Sequence, residues 1–150
     1  MTAKSTKIRL LLVDDHIVLR MGLVTAANGE PDMDVVAEAD NGIDAVKAYR
    51  THRPDVVVLD LRMPGRNGIE TLRQLREEFG DVRVLVFSNY ASGEEVFQAF
   101  SAGARGFVDA IVTPDETRDQ LAFLLRVVAN YAGPHLGPFV LPPLDAVARS

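Results

Sequence analysis

Residues 54–68 read PDVVVLDLRMPGRNG, and the first half of that stretch decides the fold. Val56–Leu59 is a run of branched aliphatic side chains with no polar face. A strand that is apolar on both sides needs cover on both sides, as a strand in a parallel sheet between two helix layers has. The run stops at Asp60. Pro64 and Gly65 then make a turn that leads into sequence of helical period from Gly68 onward.

The same alternation extends in both directions. Strands are predicted at Ile8–Val13, Val35–Glu38, Val56–Asp60, Val82–Phe87 and Gly106–Asp109. Helices are predicted between and after them. His16–Ala27 carries Val18, Leu19, Leu23 and Val24; Gly42–Arg50 carries Ile43, Val46 and Tyr49. Gly68–Glu78 carries Ile69, Leu72 and Leu75; Gly93–Ala102 carries Val96, Ala99 and Phe100. Pro114–Tyr131 carries Leu121, Leu124, Leu125 and Val128, with Pro114, Asp115 and Glu116 as a favourable start. Five βα units imply a doubly wound α/β sheet with right-handed crossovers. Residues 1–132 form one domain in this reading. Residues 133–150, broken by Gly and Pro, read as a linker or a loosely docked tail.

Composition narrows the function. The chain has 150 residues, 47% apolar and 25% charged, as expected of a globular domain with a tail. It has no cysteine, which excludes disulfides, thiolate metal sites and a cysteine nucleophile. The first apolar run is short and interrupted by Arg9, so it is neither a secretory signal nor a membrane span, and a cytoplasmic location is expected. The net charge of −5 argues against nucleic-acid binding by this chain itself.

In a doubly wound sheet, ligands gather at the carboxyl ends of strands beside the topological switch point. Asp14 and Asp15 end the first strand and Asp60 ends the third. If those strands are neighbours, three carboxylates meet in one crevice. Such like charges repel unless protonated or bridged by a cation. Carboxylate oxygens with room for water suit Mg²⁺. Each aspartate alone is equally read as a helix cap. Ser88 ends the fourth strand, where it is either an oxyanion donor or a turn serine. Phe107 reads as core. His16, beside the acids, reads as a solvated residue of the first helical turn.

The segments LLVDDHIVLRMGL, VVAEADNGIDAV, PDVVVLDLRMPGRNGIE, RVLVFSNY and AGARGF stand in this order over residues 7–132. In that combination the chain resembles the receiver domains of two-component response regulators, closest to the NarL/FixJ type that precedes a LuxR-like helix-turn-helix. The resemblance implies a flavodoxin-like (βα)5 sheet of order 2-1-3-4-5. It implies that Asp60 accepts a phosphoryl group from a histidine kinase or a small acyl phosphate. It further implies Mg²⁺ held by Asp14, Asp15, Asp60 and the backbone carbonyl of Arg62, with Ser88 and Phe107 as the switch pair. No helix-turn-helix pattern is present in these residues, so DNA contact is expected only through a domain outside them.

One departure stands out. Aligned on Gly106–Phe107, the family's lysine position is Ala110, and Asp109 fills a slot that is usually apolar. The lysines of the chain are Lys4, Lys7 and Lys47, so none lies after the third strand. Arg62 and Arg66 follow Asp60 and either compensate in part or are solvated. The alternative function is therefore a pseudo-receiver, a phosphorylation-independent interaction or dimerisation module. Phe97, Phe123 and Val127 lie off the core-facing stripes of the fourth and fifth helices. They suggest a homodimer or output-docking face, or a face covered by residues 134–144. An enzyme is not expected: the first strand is not followed by G-x-G-x-x-G, and the position two after Asp60 is Arg62, where a haloacid-dehalogenase-type phosphatase has a second aspartate.

Overall fold

A computed structural model describes residues 7–63, 67–88, 92–109, 122–123, 125–129 and 139–141. The strands are β1 (Ile8–Val13), β2 (Met33–Ala39), β3 (Val56–Leu59), β4 (Val84–Ser88), β5 (Gly106–Asp109) and β6 (Phe139–Leu141). The helices are α1 (Ile17–Asn28), α2 (Gly42–His52), α3 (Gly68–Phe79) and α4 (Gly93–Ser101). Residues 122–123 and 125–129 are helical and are called α5 here. The predicted helix start at Pro114 lies outside the described residues, as do Arg66 and Ala110.

All strands are parallel, in the order β2-β1-β3-β4-β5-β6. The first five follow the expected 2-1-3-4-5 arrangement. The sixth strand was not expected: part of the segment read as a linker or loosely docked tail pairs with the β5 edge, with Phe107 opposite Val140. A three-residue strand between Pro138 and Pro142 is too short for periodicity to reveal.

Alternation along each strand divides the core into two layers. Leu11, Val13, Val57, Leu59, Val84, Val86 and Phe107 face one side, where α2, α3 and α4 pack through Val46, Leu72, Leu75 and Ala99. Leu10, Leu12, Val56, Val58, Leu85, Phe87 and Val108 face the other, against Leu23 and Ala27 of α1 and Ala122, Leu125 and Val128 of α5. Each fully buried aliphatic side chain contributes about 1.5–3 kcal/mol, so the sheet centre holds the fold together. Helix α1 departs from its predicted face. Leu23 is buried, but Val18 and Leu19 are exposed because they overhang the sheet's carboxyl end.

Local chemistry sets the helix starts. Asn41 caps α2 by accepting from the Asp44 amide, and Asn67 caps α3 by accepting from the Glu70 amide. Ser92 and Glu95 form a reciprocal capping box on α4. At long range, Arg126 of α5 grips Asp32 through Nε (2.8 Å) and Nη2 (3.0 Å) and also reaches Glu30. That fork ties α5 to the α1–β2 corner. Its guanidinium holds the Asp32 carboxyl below the ordinary range.

Candidate functional site

The chain leaves β1 for β2 on one side, then returns to place β3 on the other. The switch point therefore lies between β1 and β3, whose ends are locked together: the Asp60 amide donates to the Val13 carbonyl at 2.9 Å. The Asp14 amide donates to the Ala39 carbonyl at 3.0 Å. These two ladder bonds fix the backbones of Asp14 and Asp60 side by side, as the spacing predicted.

Asp14 and Asp60 are buried, at 2% and 6% exposure, and Asp15 is partly buried. Each carboxylate has limited support. The Asp60 Oδ1 accepts from the Arg62 amide at 3.0 Å. The Asp14 Oδ1 accepts from the His16 amide at 2.8 Å, while its Oδ2 is buried with no hydrogen-bond partner among the described residues. Burial pushes the Asp60 carboxyl up from 3.8 to about 6; Asp14 and Asp15 add to that, while the Arg62 amide and His16 oppose it.

His16 is exposed at the start of α1, as read, but it also has contacts that the sequence does not show. The Nδ1 of His16 lies 3.1 Å from Asp14 Oδ1, 3.2 Å from Asp15 Oδ1 and 3.7 Å from Asp60 Oδ2. The carboxylates raise its pKa, the Asp14 hydrogen bond most. The only sequence signal was its position directly after Asp15. A ring at the N-cap of α1 turns back over the strand end, and periodicity does not report that.

Asp14, Asp15, His16 and Asp60 each offer a ligand atom, all within 4.8 Å of one another. An unpartnered buried carboxylate oxygen in a set of three carboxylates is the environment a divalent cation satisfies. The residues therefore fit a hard cation such as Mg²⁺.

Ser88 closes β4 at 2% exposure, and its Oγ has no partner among the described residues. It lines an open crevice of about 430 Å³ together with Asp60, His16 and Arg62. A buried hydroxyl without a partner costs about 1–3 kcal/mol, which a ligand oxygen in the crevice would recover. Phe107 is buried at 3% and packs edge-on against Phe100, with centroids 6.4 Å apart. The Arg62 guanidinium pairs with Glu95 of α4 at 3.2 Å, tying the loop after β3 to α4. Gly68 is a further site residue that the sequence reading used only as a helix start. A Cβ there would lie 2.6 Å from the Asp60 carbonyl oxygen.

The geometry agrees with the relatives. A sequence profile described as the response regulator receiver domain matches residues 10–122. The chain is 44% identical over 101 residues to the DNA-binding transcriptional activator DevR/DosR of Mycobacterium tuberculosis, covering 67% of this chain and 46% of that protein. It is 40% identical over 107 residues to the nitrate/nitrite response regulator protein NarL of Escherichia coli, covering 71% and 50%. The chain thus spans about half the length of these curated relatives. A crystal structure of a LuxR-family two-component response regulator from Aurantimonas superposes with a TM-score of 0.77 at 33% identity, covering 95% of this chain and 94% of that one.

Proposed function

The chain belongs to the response regulator receiver domain family, and from that premise we propose that Asp60 is a phosphoacceptor controlling the output of a LuxR-type transcriptional regulator. The observation that carries this is the buried Asp60 carboxylate lining one crevice with a Ser88 hydroxyl that has no partner among the described residues. An Asp60 oxygen would attack the phosphorus of a phosphohistidine or an acyl phosphate. The new O–P bond forms as the bond to the leaving imidazole or carboxylate breaks. Asp14, Asp15, Asp60 and the Arg62 carbonyl would hold Mg²⁺, which when bound neutralises charge on the transferring group. The protein's own part is positioning. The Arg62 amide orients Asp60 Oδ1, and Ser88 Oγ would donate to a phosphoryl oxygen.

Output would follow by population shift. Ser88 and Asp109 stand opposite each other across the β4–β5 ladder, and Phe107 lies on the same strand. A pull on Ser88 would reach β5 and α4 through these neighbours. Phe97 on α4 is 68% exposed and Phe123 on α5 is 56% exposed. They suit a homodimer contact or the docking of an output domain. A Phe97→Asp variant is expected to stay monomeric by light scattering at concentrations where the phosphorylated wild type gains mass. Equal mass for both would remove that face from the account.

The second reading, a phosphorylation-independent pseudo-receiver, is favoured by Ala110. Without the family's lysine, the phosphoryl group would lose one cationic partner, for which Arg62 would compensate only in part. The test that separates the readings is incubation with Mg²⁺ and acetyl phosphate, followed by intact mass spectrometry. A single phosphoryl adduct, absent from Asp60→Asn, is expected. Folded, Mg²⁺-saturated protein without an adduct, also after exposure to a phosphorylated histidine kinase, would favour the pseudo-receiver.

A further inference from the structure

We propose that an apolar wall on the crevice makes this chain select among acyl phosphates, reacting faster with donors of longer alkyl chain, such as butyryl phosphate, than with acetyl phosphate. The inference rests on Asp60 being the phosphoacceptor and names the donor class that its site favours.

The crevice has two chemically distinct parts. Its inner part is polar, with Asp60 buried at the end of β3 and Ser88 buried at the end of β4. Val18, Leu19 and Phe87 supply an apolar wall beside them. Phe87 is buried, whereas Leu19 is 38% and Val18 82% exposed. The core does not need these two aliphatic side chains, because α1 packs on the sheet through Leu23 and Ala27. They stand open to water next to the reacting carboxylate. Apolar surface around a few convergent polar groups is the composition of a small-molecule site.

Reaction geometry brings the donor's alkyl chain to this wall. Phosphoryl transfer runs in line, so the group leaving phosphorus stands opposite the attacking Asp60 oxygen. The O–P bond to Asp60 forms as the P–O bond of the acyl phosphate breaks, and the electron pair departs with the carboxylate. Asp60 lies at the buried end of the crevice and the α1 side chains at its exposed end. The carboxylate and its chain therefore leave past Val18 and Leu19. A volume of about 430 Å³ accommodates a phosphoryl group and a short chain together.

Burial energetics sets the size of the effect. Complete burial of one methylene is worth about fourfold in an equilibrium constant. The crevice is open and covers such a chain on one side, so about twofold per methylene is expected. The two methylenes that butyryl adds to acetyl then give about fourfold. They are remote from the breaking bond and leave the basicity of the departing carboxylate almost unchanged. The gain is uniform binding, which raises the second-order rate constant and not the limiting rate.

The test follows adduct formation on the whole chain by intact mass spectrometry, with Mg²⁺ and acetyl, propionyl or butyryl phosphate as donor. Wild type, Val18→Ser/Leu19→Ser and Ile17→Ser are compared, with circular dichroism confirming that each is folded. The wild type is expected to show a second-order rate constant about fourfold higher for butyryl than for acetyl phosphate, at an unchanged limiting rate. In the double variant that ratio should fall to about one. Ile17 is exposed on the same helix and stands outside the crevice lining, so Ile17→Ser should keep the wild-type ratio. A wild-type ratio of one or below would overturn this inference and leave Asp60 as phosphoacceptor. A raised ratio that survives in the double variant would overturn the role of the wall. No adduct with any acyl phosphate, where a phosphorylated histidine kinase does form one, would overturn this inference alone. No adduct from either source would remove the phosphoacceptor reading as well.

Discussion

Asp60 sits where burial opposes its charge, and that has a thermodynamic consequence for the metal-free protein. Its folded pKa is about 6 against an ordinary 3.8. Between those values the folded state binds more protons than the unfolded chain, so stability falls as pH rises from about 4 to about 6. His16 acts in the same direction. Its folded pKa is raised, so its contribution is complete below its ordinary 6.5 and is lost as pH rises through the folded value. In EDTA, the wild type is expected to melt at a lower temperature at pH 7.5 than at pH 5. Asp60→Asn removes the buried charge and, with the shift discounted for solvent screening in the open crevice, should be more stable than wild type at pH 7.5 by about 2 kcal/mol, with a flatter pH profile. Denaturant titration at the two pH values checks this; a less stable variant would mean that Asp60 is better solvated than its burial implies.

At the scale of elements, the approach of α3 to the end of β3 shapes the loop that follows Asp60. Gly68 opens α3 with no side chain, and an added Cβ would also meet the Leu61 Cα at 2.6 Å. Both obstructing atoms are backbone, so a substitution there must move the loop that carries Asp60. Gly68→Ala is expected to cost about 1–3 kcal/mol and to slow adduct formation with acetyl phosphate. Gly93→Ala opens a different helix, α4, where nothing lies within 4 Å of the added carbon. It should leave both properties near wild type. Equal behaviour of the two variants would deny that helix packing positions Asp60.

For the whole molecule, β6 docks part of the segment after residue 132 on the sheet. It pairs along β5, so Phe139–Leu141 shields the sheet edge beside Phe107. Consecutive N–H groups of a strand point to opposite sides, so only one of Val140→Pro and Leu141→Pro removes a donor facing β5. That variant is expected to raise amide exchange in Gly106–Val108 about tenfold, and the other to change it much less. Hydrogen exchange read by mass spectrometry distinguishes them. Identical, unchanged exchange in both would mean that the sixth strand adds no protection.

Much of this was legible in the residues. Doubly apolar runs such as Val56–Leu59 require cover on both faces, and their alternation with helical period leaves few topologies besides a doubly wound sheet. The aspartates at the ends of β1 and β3 were legible for the same reason: strand ends at a switch point converge whatever lies between them. What remained hidden depends on contacts between distant segments. Val18 and Leu19 fit the helical period but overhang the sheet. His16 is exposed, as read, but at the N-cap of α1 its ring also comes to within 3.7 Å of three carboxylates, which the sequence does not show. Gly68 reads as a helix start until β3 and α3 meet at van der Waals limits. The β6 strand is too short to carry a period and exists through its pairing with β5. Sequence by itself determined the layers and the acidic crevice, because periodicity and strand ends are local properties; tertiary structure alone decided which atoms face into that crevice, because that depends on how separate elements pack.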